Sequence, residues 1–190
     1  MEPNIASLCH NNLIEVSSYQ VPQIIRHKLC DIEDPLVMKF PMVFFDGAAT
    51  NSIGGAGICI WLNDHHFFAI KLGCGSRTNI RAELLVLWAS LLVAKDIGFP
   101  YLHIFGDSSV IINWAKGEST LDMVNLEAWC YNTRMLMYSF ILVDFSHVYR
   151  EHNNRVDSLS KEGLMMASGH LLFTESCDDE LIGEVSLQLF

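Results

Sequence analysis

Positive charge is scarce in this chain. Across 190 residues, 12 Lys and Arg stand against 22 Asp and Glu, a formal net charge of −10. A sequence-independent grip on nucleic acid through a basic surface is therefore not expected, whereas an enzyme whose acids are neutralised by divalent cations is not excluded. Paired cysteines are also missing: Cys9, Cys30, Cys59, Cys74, Cys130 and Cys177 are scattered with no Cys-x-x-Cys among them. That pattern implies neither a zinc module nor a disulfide framework, and the thiols read as buried or neutral. Long apolar runs are lacking too. The longest charge-free one, Leu84 to Ala94, falls short of the about 20 residues that span a bilayer. The opening Met-Glu-Pro-Asn has neither a basic nor an apolar signal region. The expectation is a soluble intracellular protein of the nucleus or cytoplasm, monomeric, with no membrane partner.

What is present is a chain rich in apolar residues, 51% by count, which suits a folded domain with a proper core. Residues 1–39 contain Pro3, Pro22 and Pro35 and an acidic cluster at Asp31, Glu33 and Asp34, and read as a leader that is partly ordered at best. From Phe40 the texture changes. Met42 to Phe45 reads as a strand that stops at Asp46, Ala56 to Trp61 as a second and Phe67 to Leu72 as a third, with short turns that make an antiparallel meander. Gly73 to Ser76 breaks the pattern. Thr78 to Lys95 predicts a helix capped at Thr78 or Asn79 and stopped near Gly98. Tyr101 to Phe105 follows as a strand, then a short helix through Trp114, a longer helix over Val124 to Tyr138, a fifth strand over Phe140 to Tyr149, and a last helix from Arg155 to about Met166. The domain then spans residues 40–166. Residues 167–190, acidic at Glu175, Asp178, Asp179 and Glu180, read as a tail. The order βββαβα(α)βα is an α/β fold on a mixed sheet, with a right-handed crossover setting the fourth strand parallel to an earlier one.

One residue does not belong where it stands. Glu83 lies within a helix that is apolar on nearly every side, and an unpaired carboxylate there costs on the order of several kcal/mol. An arginine or a bound proton could compensate it; a metal ion is the sharper answer. Other acids arrive at suggestive places: Asp46 ends the first strand, Asp107 ends the fourth, and Asp157 sits in the first turn of the last helix. Ligands in open α/β sheets bind outside the carboxyl ends of the strands. Each acid alone has an ordinary explanation as turn, cap or helix-dipole partner. Together they form a set that typically holds two divalent ions roughly 4 Å apart for displacement at phosphorus.

Other constellations fail. Gly54-Gly55-Ala56-Gly57 precedes a strand rather than a helix, Asp107-Ser108-Ser109 is no nucleophile elbow, and His65-His66 has no ligand partner at useful spacing. Trp88, Trp114 and Trp129 fall on helices and read as core.

The run Phe44-Phe45-Asp46-Gly47-Ala48, then Ala56-Gly57, then Thr78-Asn79-x-Arg81-Ala82-Glu83-Leu84, then Gly106-Asp107-Ser108, then His147-Val148-Tyr149-Arg150-Glu151-His152-Asn153-x-x-Val156-Asp157-x-Leu159-Ser160-Lys161 resembles the ribonuclease H type 1 family. It is similar above all to the plant reverse-transcriptase-like branch associated with non-LTR retroelements, over about Phe40 to Leu164. The resemblance implies a ribonuclease H-like fold with a five-stranded mixed sheet in the order 3-2-1-4-5, flanked by helices. It implies Asp46, Glu83, Asp107 and Asp157 as catalytic metal ligands for two Mg²⁺ ions, with Mn²⁺ able to substitute. The implied substrate is the RNA strand of an RNA/DNA hybrid, cleaved endonucleolytically. Arg77, Thr78 and Asn79 are candidate contacts to phosphate and sugar, the last two in competition with plain capping. His152, with Glu151, stands in a short loop where the family often has an auxiliary histidine. Ile80 departs from a family position that is often Asn or Gln facing the hybrid. The alternative is a domesticated retroelement domain that binds nucleic acid or a protein partner without turnover. A 3′–5′ exonuclease of related fold expects Asp-x-Glu on the first strand, which Asp46-Gly47-Ala48 lacks.

Overall fold

The computed structural model of the protein describes residues 40–121 and 126–189. The expected leader over 1–39 lies outside them. Strand β1 (Met42–Thr50) turns into β2 (Ile53–Trp61) through Asn51 and Ser52, whose φ angles of 50° and 63° are those of a two-residue hairpin that matches strand twist. A second tight turn is held by Asn63, whose Oδ1 accepts the His65 and His66 amides at 2.8 Å each. It leads into β3 (His66–Ser76). Helix α1 (Asn79–Ile97) crosses over to β4 (Tyr101–Gly106), which lies parallel to β1. Then come α2 (Ser109–Lys116), α3 (Glu127–Met137) and β5 (Leu142–His147), parallel to β4. A 3-10 turn at Arg150–His152 precedes α4 (Asn154–Gly163).

The expected sheet is corrected in number. Beyond α4 the chain forms β6 (His170–Cys177) and β7 (Glu180–Gln188), and the sheet has seven strands in the order β5-β4-β1-β2-β3-β6-β7. The expected order of five is embedded in it, and a hairpin extends it past β3. The stretch expected to be an acidic tail is therefore mostly sheet. Asp178 and Asp179, with φ of 50° and 65°, make the tight turn of that hairpin, and Leu171 and Phe173 are buried in the main core. Glu175 is buried too, paired with His66 at 2.8 Å across β3 and β6. Its charge points to a partner rather than to solvent.

Element ends moved for a related reason. Asp46 lies in the middle of β1, opposite Gly57, rather than at its end, because pairing with β2 continues unbroken to the Asn51-Ser52 turn. Likewise β3 runs on to Ser76 through Gly75 and Gly73, which pair with Gly54 and Gly55 across a bulge. Helix α3 begins at Glu127; the first residues of its expected span are among those not described. The fifth strand and the last helix are shorter than expected, with the 3-10 turn between them.

One face of the sheet, with Val43, Phe45, Ile58, Ile60, Phe68 and Ile70, packs against α1 residues Leu84, Leu85, Leu87, Trp88 and Leu91 in one continuous core. Each such side chain contributes about 1.5–3 kcal/mol by leaving water. Helix α4 covers part of the other face. It approaches unusually closely, since a Cβ on Gly57 would lie 2.3 Å from the Val156 carbonyl oxygen. Only glycine permits that contact, and it brings the side chains of α4 onto β1. Among the described residues, no helix is long and apolar enough to cross a membrane.

Candidate active site

Parallel pairing brings the first two acids together. Phe45 of β1 is opposite Gly106 of β4, the last pair of that ladder, so the residues that follow, Asp46 and Asp107, come side by side where the two strands part. Glu83 enters from the second turn of α1, where Gly47 admits the helix against β1. The Gly47 amide donates a hydrogen bond to the Glu83 carboxylate. One carboxylate oxygen from each of Asp46, Glu83 and Asp107 lies within 4.8 Å of the other two.

Three carboxylates this close repel strongly wherever water is excluded. Asp46 is 5% exposed, and burial first, then the charges of Asp107 and Asp157, raise its pKa against the lowering effect of the Ser160 hydroxyl. Glu83 is pushed well above its ordinary value, by burial and then by Asp46 and Asp107. Its Oε2 is buried with no hydrogen-bond partner among the described residues. Among the described residues, the charge of Arg150 lowers both acids, and it comes after burial and the neighbouring carboxylates in order of effect for each. A buried acceptor left unmet beside two more carboxylates is what a divalent cation satisfies, and an all-oxygen donor set suits Mg²⁺ or Mn²⁺.

Asp157 is not part of this triad. Its Oδ1 accepts from Arg150 Nη2 at 2.8 Å and its Oδ2 from Lys161 Nζ at 2.5 Å. Lys161 first and Arg150 second hold its carboxyl below the ordinary range. The link between it and the triad is Ser160, whose Oγ lies 2.5 Å from Asp46 Oδ2 and 2.9 Å from the Asp157 carbonyl oxygen. Ser160 and Arg150 were not singled out from sequence. The signal was there in Asp157-x-x-Ser160, since a residue three further along a helix shares its face.

A family model described as reverse transcriptase-like matches residues 44–163. The chain belongs to that family. It is 30% identical over 124 residues to a ribonuclease HI of Halobacterium salinarum, a match covering 64% of this chain and 62% of that protein. The crystal structure of RNase H1 from the same archaeon superposes with a TM-score of 0.63 at 27% identity, covering 68% of this chain and all of that one. LC11-RNase H1, isolated from compost and solved in complex with an RNA/DNA hybrid, superposes with a TM-score of 0.59 at 20% identity, over 66% of this chain and 96% of that one, and shows the fold alone.

Within this ribonuclease H-type domain the remaining expected residues fall outside the carboxylate cluster. Thr78 occupies the N-cap of α1 but makes no side-chain cap hydrogen bond, so its hydroxyl is not spent on the helix. Thr78 and Asn79 are exposed. The Arg77 amide donates to the Ser52 carbonyl at 2.9 Å, and its guanidinium to the Ser76 carbonyl at 2.8 Å, which fixes the entry to α1. Ile80 is partly buried and packs on the main core. Glu151 and His152 face solvent, 3.7 Å from each other.

Proposed function

We propose that this domain hydrolyses the RNA strand of an RNA/DNA hybrid with the help of divalent cations. The observation that carries the reading is the triad: three carboxylates from β1, α1 and the end of β4 converge within 4.8 Å, and one buried oxygen among them is unmet. Asp46, Glu83 and Asp107 would hold one ion, and Asp46 with Asp157 a second. Bound there, Mg²⁺ or Mn²⁺ would supply a water of lowered pKa and neutralise the departing 3′-oxygen, leaving a 5′-phosphate.

The protein's own groups prepare that chemistry. Ser160 orients Asp46 by hydrogen bonding to one of its oxygens, and the Gly47 amide orients Glu83. Asp157 stays ionised through Arg150 and Lys161, so its carboxylate is ready to bind without first losing a proton. Arg77, Thr78 and Asn79, at the N-terminus of α1, would contact phosphate and sugar, a role that the exposure of Thr78 and Asn79 supports. Selection of RNA would rest on the 2′-hydroxyl rather than on base sequence. His152 and Glu151 are auxiliary candidates, near α4 but outside the triad.

The test is cleavage of an end-labelled hybrid in Mg²⁺ or Mn²⁺, alongside Asp107→Asn. Cleavage that the substitution abolishes supports the reading; equal cleavage by the variant removes the site assignment. A second reading, binding without turnover, is favoured by Ile80, which packs on the core rather than reaching outward, and by the net charge of −10. Hybrid binding with no cleavage in either metal would select it.

A further inference from the structure

Next to the start of α4 the structure contains a cavity of about 370 Å³, within the range of about 300–1,000 Å³ usual for small-molecule sites. Asp46, Glu83, Asp107 and Asp157 do not line it, whereas the exposed Asp64 and His152 stand at its rim. Two of its walls are the half-buried rings of Phe44 on β1 and Trp61 on β2. Phe44 is stacked on Phe105 with centroids 4.7 Å apart and planes 13° apart, so its ring plane is fixed by a neighbour rather than free to turn. A third wall is Arg155. Its guanidinium lies 5.2 Å from the centroid of Trp61 and 3.9 Å from that of Phe67. Held by ring faces and in no ion pair among the described residues, it keeps its hydrogen-bond donors available for an anion.

Asn153 completes the site. It is 2% exposed, and its Nδ2 donates to the Phe45 carbonyl at 3.0 Å. Among the described residues its Oδ1 is buried with no hydrogen-bond partner, an acceptor that a ligand donor or an ordered water would satisfy. Cys59 also faces the cavity, but burial pushes its thiol up to about 12, so it is an inert wall and not a nucleophile.

Flat rings, a free guanidinium and an unmet buried acceptor match one ligand chemistry. We propose that this cavity receives an unpaired nucleotide next to the hybrid, its base stacked on Phe44 and Trp61, its phosphate on Arg155, and a base N–H donating to Asn153 Oδ1. The placement rests on the hybrid reading above. Phe44 precedes Asp46 by two residues on the same face of β1, about 7 Å along the strand, so a single strand running from the acids reaches the cavity within a nucleotide or two. A base still stacked in a duplex could not present its face to these rings, so the site selects single-stranded extensions.

The test uses the full chain in EDTA, so that nothing is cleaved, and compares a blunt RNA/DNA hybrid with the same hybrid carrying three unpaired ribonucleotides at each end. The extension is expected to tighten binding about tenfold, the contribution of one stacked base. In Trp61→Leu and Arg155→Gln, each checked for folding by circular dichroism and thermal melting, the ratio of the two affinities falls to about one. Equal affinities in the unsubstituted protein overturn the proposal. A tenfold ratio that survives both substitutions overturns it as well. A ribonucleotide trimer titrated alone separates this inference from the hybrid reading: saturable binding lost in Arg155→Gln upholds the cavity even if no hybrid is ever cut, and absence of binding removes it even if hybrids are.

Discussion

Gly47 and Glu83 meet backbone to backbone. A Cβ on Gly47 would lie 2.5 Å from the Glu83 nitrogen, so β1 and α1 approach here as closely as a residue without a side chain allows, and the Gly47 amide is left free to donate to the carboxylate. Gly47→Ala should force strand and helix apart. Overpacking of this kind typically costs about 1–3 kcal/mol, and a displacement near 1 Å at a reacting group about a hundredfold in rate. A lowered melting temperature with a disproportionate loss of hybrid cleavage is expected. An unchanged rate would show that the approach is not needed for the site.

Glu83 also sets a pH dependence. Its folded-state pKa is raised well above 4.5, so between 4.5 and that higher value the folded protein keeps a proton that the unfolded chain has released. Stability then falls as pH rises through this window. Without metal, the melting temperature should be higher near pH 5 than near pH 8, and Glu83→Gln should flatten that slope. Mg²⁺ should stabilise the unsubstituted protein more at pH 8 than at pH 5. A slope that Glu83→Gln leaves intact assigns the titration elsewhere.

Asp157 is engaged by Arg150 at 2.8 Å, and a cation binding Asp157 must compete with that guanidinium. Arg150→Met should therefore lower the Mg²⁺ concentration giving half-maximal cleavage, while changing stability by less than about 1 kcal/mol, as for other exposed pairs. A higher Mg²⁺ requirement in the variant would mean that Arg150 helps to bind the substrate or the ion instead.

The hairpin of β6 and β7 is integral to the core. Phe173 is 2% exposed and its ring centroid lies 5.0 Å from that of Phe68 on β3. Phe173→Ala should cost about 3–5 kcal/mol, visible as a lower midpoint in urea. Chain ending at Ala167 should aggregate, because it exposes the β3 edge and the apolar surface beneath it. A soluble truncated protein with an unchanged midpoint would restore residues 167–190 to the status of a tail.

The acids that could be read from sequence were those that break a local rule. Glu83 stands out in an apolar helix whatever the rest of the chain does, and Asp46 and Asp107 follow runs that are plainly strand. The hairpin was missed because its local signs are ambiguous: Asp178-Asp179 reads equally as acidic tail or tight turn, and Glu175 finds its reason only in His66, 109 residues away. Asn153 was missed because a polar residue at a helix start has an ordinary use as a cap, and Ser160 because a serine within a helix has an ordinary use in bonding a carbonyl of the preceding turn. Their contacts to Asp46 and to the Phe45 carbonyl exist only once α4 lies on β1.

The sequence by itself determined the order of the strands and helices up to α4 and singled out the four acids, since hydrophobic period, turn residues and misplaced charge are all local properties; the family came from the resemblance of its spaced motifs. The tertiary structure decided that three of those acids converge while Asp157 is held in ion pairs, that the sheet has seven strands, and that a cavity opens at the start of α4. Those outcomes depend on strand pairing and on the close approaches at Gly47 and Gly57. Contacts between residues far apart in the chain arise only from packing, and no local pattern encodes them.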